Sequence, residues 1–161
     1  MAKEYNLSVL KQEFRKLQEK YGLPGFEELN REFSIEKIAE SETEVLTKEI
    51  RRFISDKIYN YIRFIETIIN PVNAPIFIFS ILKSITPDDK KKLGEIYDKL
   101  ADIEMELIKL DIESSEKKDA EFIKKVYDSW LEIKRELLSL FDRLKKEQKG
   151  ADSDNASKYF G

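Results

Sequence analysis

Thr86-Pro87-Asp88-Asp89 opens the stretch TPDDKKKLGEIYDKLADIEMELIKL (residues 86–110), and its reading decides the fold. A hydroxyl at the cap, a proline at the first helical position and two acids facing the positive end of the dipole mark a helix start. Behind it, Leu93, Ile96, Leu100, Ile103, Leu107 and Leu110 recur at spacings of 3, 4, 3, 4 and 3. That alternation is one apolar face of an α-helix. After Glu113-Ser114-Ser115 the same alternation returns in Ile123, Val126, Trp130, Ile133, Leu137, Leu140 and Leu144. Each seam has a second stripe beside it: Tyr97, Ala101 and Ile108 on the first, and Tyr127, Leu131, Leu138 and Phe141 on the second. Seams this wide contact more than one neighbour, so the pair predicts a C-terminal antiparallel helical hairpin inside a bundle.

Working back toward the N-terminus, three more helices and one short helical piece are legible. Leu7, Leu10, Phe14, Leu17 and Tyr21 form a stripe that Gly22-Leu23-Pro24-Gly25 stops, and Phe26, Leu29 and Phe33 give two further turns. Ser41-Glu42-Thr43-Glu44 matches a capping box, from which a long helix is expected to run to Ile69. Asn70-Pro71 ends it, because the residue before a proline is pushed out of the helical region. Asn73 is then expected to cap the short run Ile76 to Leu82, with Pro75 in its first turn. The alternation of Ile and Phe there also suits a strand. Helix is chosen because no second strand-like run exists to satisfy its backbone. The fold class is therefore all-α, a multi-helix bundle of about five helices.

The chain has 161 residues and a mass of 19.0 kDa, which suits one domain over residues 1–149, followed by a tail (150–161) without periodicity that is expected to be disordered. Hydrophobic residues supply 41% and charged residues 38%, a balance that excludes both a wholly disordered and a membrane-embedded chain. Cysteine and histidine are both absent. Disulfides, thiol catalysis, Cys-ligated zinc, histidine bases and most catalytic triads go with them. The five glycines form neither a P-loop nor a dinucleotide fingerprint, so no cofactor is expected. Residues 1–6 lead straight into a charged amphipathic segment without the apolar run of an export signal, from which a cytoplasmic location is expected. Abundant Lys, Glu and Ile, with two Met and no Cys, give a thermophile-like composition.

Carboxylates are the plentiful catalytic groups that remain. Glu95, Asp98, Asp102 and Glu106 fall within about 80° on one helix, away from the seam, where oxygen ligands could hold Mg²⁺ or Ca²⁺. Glu28 with Glu32, and Glu95-x-x-Asp98, also echo the paired acids of an all-helical nucleotide hydrolase. A solvated acidic face is the expected reading of both. Lys48, Arg51, Arg52, Lys57 and Arg63 share a helix with Tyr59 and Tyr61, yet no segment accumulates the positive charge that nucleic acid requires. Trp130 lies on the seam and is expected in the core.

Ile76 to Leu82 is the least ordinary segment, apolar at every position but Ser80. Such a helix is buried all round, or else shows a contact patch to another chain. Burial at the centre of the bundle is the favoured expectation. The alternative makes Ile76, Phe77 and Phe79 an interaction surface for a protein partner or a homodimer. Taken with the exclusions, this yields a protein–protein interaction or structural module rather than an enzyme. A carboxylate-only Mg/Mn hydrolase of nucleotides is the alternative, with nucleic-acid binding behind it and no membrane partner.

Overall fold

The computed structural model describes residues 3–4 and 6–160, with side-chain surroundings for 6–147 and 149. Among these residues the chain forms six α-helices, one 3₁₀ helix and a single two-stranded ribbon. The helices are α1 (Leu7–Tyr21), α2 (Phe26–Phe33), α3 (Leu46–Ile69), α4 (Ile76–Leu82), α5 (Pro87–Ile112) and α6 (Glu116–Phe160). The all-α bundle expected from the sequence is the fold observed. The residues divide into two compact units, 1–60 with 101–130 and 61–100 with 131–161, and α3, α5 and α6 contribute to both.

Local chemistry places most boundaries where the sequence put them. The Asn6 carboxamide accepts from the Val9 N–H to start α1, and Gly22 closes it at φ 67°, a left-handed angle glycine adopts without a Cβ penalty. The Glu28 carboxylate accepts from the Gly25 N–H at the head of α2. Thr86 and Asp89 complete a reciprocal capping box: the Asp89 N–H donates to the Thr86 hydroxyl, and the Thr86 N–H to the Asp89 carboxylate.

The linker between α2 and α3 departs from expectation. Ser41-Glu42-Thr43-Glu44 is not a capping box. Ser41 instead terminates a 3₁₀ helix over Ile35–Glu40, and α3 begins only at Leu46. Ile35 and Ile38, one 3₁₀ turn apart, are both fully buried, which rewards the tighter winding. Glu42–Thr43 is extended and pairs antiparallel with Lys3–Glu4 as β2 with β1, Lys3 opposite Thr43. Asn73 likewise does not cap α4. It sits in the turn at φ 63°, and Pro75 occupies the position before the helix. At the other end, α6 is bounded at Phe160 and so passes Gly150, where the sequence reading stops it. Extending a helix is far easier than nucleating one.

In the first unit, α1, α2, the 3₁₀ helix and the first part of α3 bury Leu10, Phe14, Leu29, Ile38, Ile50 and Ile54. In the second, Ile62, Ile65 and Ile68 of α3 are buried, as are Leu93, Ile96 and Leu100 of α5 and Ile133, Leu137 and Leu140 of α6. Every seam residue on α5 and α6 is buried, Trp130 included. The hairpin order is plain within each unit. Glu106 pairs with Lys125 in the first, and in the second Lys99 meets Glu136 while Asp89 meets Arg143. The flanking stripe is less engaged than its pattern suggests, because Ile108 and Leu138 remain exposed.

Candidate functional site

The second unit carries the most unusual surface. Asn70 bonds back to Glu66 and ends α3, and Pro71 to Pro75 turn the chain into α4. On a seven-residue helix, the 100° step sets Ile76, Phe77, Phe79 and Ser80 on an arc of about 160°, opposite Ile78. Ile78 alone in this helix is buried. Exposure is 89% at Ile76, 57% at Phe77 and 48% at Phe79, with Val72 of the preceding turn at 72% and Ile69 at the end of α3 at 46%. The expectation that Ile76 to Leu82 threads the bundle centre is therefore corrected. Ile78 anchors the helix with half-buried Ile81 and Leu82 beside it, and Ile76, Phe77 and Phe79 look outward.

Two features fix this face. The Ser80 hydroxyl donates to the Phe77 carbonyl at 2.6 Å, which turns the one polar side chain of α4 back onto its own backbone. Beside it, a groove of about 820 Å³ is lined by Arg63, Glu66, Thr67, Ile69, Asn70, Val72, Asn73, Pro75 and Tyr97. The Tyr97 hydroxyl donates to the Glu66 carboxylate at 2.9 Å, and this bond pushes the phenol pKa above its ordinary value. The groove thus continues the apolar patch through Ile69 and Val72 and ends in a polar rim.

The acidic quartet behaves differently. Glu95, Asp98 and Asp102 are exposed, and Glu106 is bonded to Lys125. Among the described residues no group of three or more acids gathers as a cation cage. Glu28 is spent on capping α2, and Glu32, buried, accepts from the Trp130 indole N–H at 2.8 Å. Three of the basic residues of α3 are held by partners within the first unit. Arg52 pairs with Glu49, Lys57 donates to the Glu32 carbonyl, and Arg51 is buried against Asp111 and Asp119.

That buried Arg51–Asp119 pair escaped the sequence reading, which only grouped Arg51 with the other basic residues of its helix. Arg51 Nη1 lies 2.6 Å from Asp111, and its Nε is 3.1 Å from Asp119 Oδ1 without hydrogen-bond alignment. Thr47 donates to the other Asp119 oxygen at 3.4 Å. Burial raises the Asp119 pKa more than Arg51 lowers it. Spacing offers no cue, since residues 51 and 119 meet only through tertiary packing. A second charged groove, about 560 Å³ between α5 and α6 in the second unit, is lined by both signs, with Lys99 held by Glu132 and Glu136 and Arg143 by Asp89. Among the described residues no helix is long and apolar enough to cross a membrane. Comparison with family models, curated proteins and solved structures finds no match to this chain.

Proposed function

We propose that this chain is a helical interaction module that binds another protein surface through the outward face of α4. One observation carries the reading: five large apolar side chains, Ile69, Val72, Ile76, Phe77 and Phe79, are exposed together over eleven positions of sequence. Single exposed apolar residues are ordinary, whereas a contiguous patch of this size marks a contact surface. The helix is held from below by Ile78 and presented by two proline-bounded turns, so the patch is part of a defined element. A cytoplasmic setting goes with this reading, on a chain without cysteine. Neither the acid quartet nor the basic residues of α3 form an arrangement that favours the hydrolase or nucleic-acid alternatives.

The test is a photo-crosslinking residue placed at position 77 in the cell that makes the chain, with position 117 as an exposed polar control. Discrete adducts from position 77, absent from 117 and lost when Ile76→Asp is added, are the expected result. Equal labelling from both positions, or none from 77, rejects the module.

A further inference from the structure

We infer that the surface covering this face is the same face of a second copy of the chain, meeting across a two-fold axis at α4. The inference rests on the interaction reading above and names its partner. Three observations select a second copy.

The first is chemical. From Ile76 to Leu82 there is no charged side chain, and the Ser80 hydroxyl is already turned onto the Phe77 carbonyl. The exposed side of α4 is apolar apart from Ser80, and the polar groups beside it lie on the rim. A two-fold axis sets an apolar patch on its own image, so the match in character is automatic.

The second is area. Taking about 200 Å² for a large side chain, the exposed fractions of Ile69, Val72, Ile76, Phe77 and Phe79 leave on the order of 600 Å² per copy. Two copies then bury roughly 1,200 Å², the lower bound of specific interfaces. That lies below the roughly 2,000 Å² and more of obligate interfaces, which points to a reversible dimer.

The third is the rim. Arg63 and Glu66 lie three residues apart on α3 and both line the groove beside the patch. They carry opposite signs. If the two α3 helices run antiparallel across the axis at this rim, Arg63 of each copy comes opposite Glu66 of the other, whose carboxylate also accepts from Tyr97. The rim is therefore complementary to itself, a property that steers register more than it adds affinity.

Sedimentation equilibrium and light scattering on the full chain, from about 1 to several hundred micromolar, test this. The expected mass is 19.0 kDa at the dilute end, rising toward twice that value. Phe77→Asp is expected to weaken association about 30-fold or more, as for a central interface residue, with helical content unchanged. Arg63→Glu is expected to weaken it about threefold, in line with a rim charge, and adding Glu66→Arg to restore it. The charge swap keeps the test valid if Phe77→Asp fails to fold. A monomer at every concentration overturns the second-copy inference, as does a dimer indifferent to both variants. If the monomer still gives position-77 adducts to other proteins, the interaction module stands and only its partner is wrong. Without those adducts, both fall.

Discussion

The indole N–H of Trp130 donates to the Glu32 carboxylate at 2.8 Å, joining α6 to α2 across 98 positions of sequence in a buried setting. Around this bond, the Phe33 ring lies 6.3 Å from the indole, and the Lys57 ammonium stands 5.0 Å from the indole centroid. A buried Trp needs a partner for its N–H, and a buried carboxylate needs donors. Each residue answers the other's requirement.

Trp130→Ala is expected to destabilise the fold by about 3–5 kcal/mol, through lost packing and a cavity. A double-mutant cycle of Trp130→Phe with Glu32→Met, which leaves no accepting oxygen, isolates the bond itself, with an expected coupling of about 1.5–3 kcal/mol for a charge-assisted hydrogen bond. Chemical denaturation measures both. A coupling near zero would show that the indole packs without relying on Glu32.

Helix α4 is expected to divide sharply between its one inward residue and its outward ones. Ile78→Ala should cost about 2–5 kcal/mol as a fully buried aliphatic truncation. Phe79→Ala, on the exposed face, should stay within about 0.5 kcal/mol in dilute solution. Comparable losses for both would mean that α4 is enclosed, and the outward face would lose its basis.

Two buried aspartates are expected to respond oppositely to acid. Burial opposes ionisation of Asp89, but the Thr86 backbone N–H, the Thr86 hydroxyl and Arg143 together hold its pKa below the usual carboxylate range. Its stabilisation is therefore present above the ordinary value and is lost as pH falls through the lowered one. Asp119 lies above the ordinary value because burial outweighs Arg51. Its ionised form costs stability, and that cost is relieved as pH falls through the raised value. Denaturation midpoints between neutral pH and about pH 3 should show the gap between wild type and Asp89→Asn narrowing on acidification. The gap to Asp119→Asn should move in favour of wild type. A shared direction for both would refute the assignment.

Gly22→Ala is expected to lose about 1–2 kcal/mol, because φ at Gly22 is +67°, where a Cβ crowds the following carbonyl. The space around it is open enough for a methyl group, the nearest atom being Lys124 Nζ at 3.7 Å. The loss is thus conformational, and thermal unfolding of this one variant checks it. No loss would require the helix end to rearrange.

The heptad alternation from Leu93 to Leu144, the stop at Gly22 and the start at Thr86 depend on neighbours within a turn or two, and so determine the helices and the hairpin from sequence alone. Apolar period and capping chemistry are local, and in this chain they agree with one another. The boundary at Ser41 went the other way. Burying Ile35, Ile38 and Thr43 outweighed a local capping signal, and only packing against distant residues provides that burial. Composition likewise removed whole classes of chemistry, through the missing histidine and cysteine. It could not say whether Ile76 to Leu82 lies inside or outside, because an all-apolar helix has no polar face to record its orientation. The tertiary structure decided that by burying Ile78 and leaving Ile76, Phe77 and Phe79 exposed. It also brought together Glu32 with Trp130 and Arg51 with Asp119, pairs whose members are 98 and 68 positions apart and share no local signal.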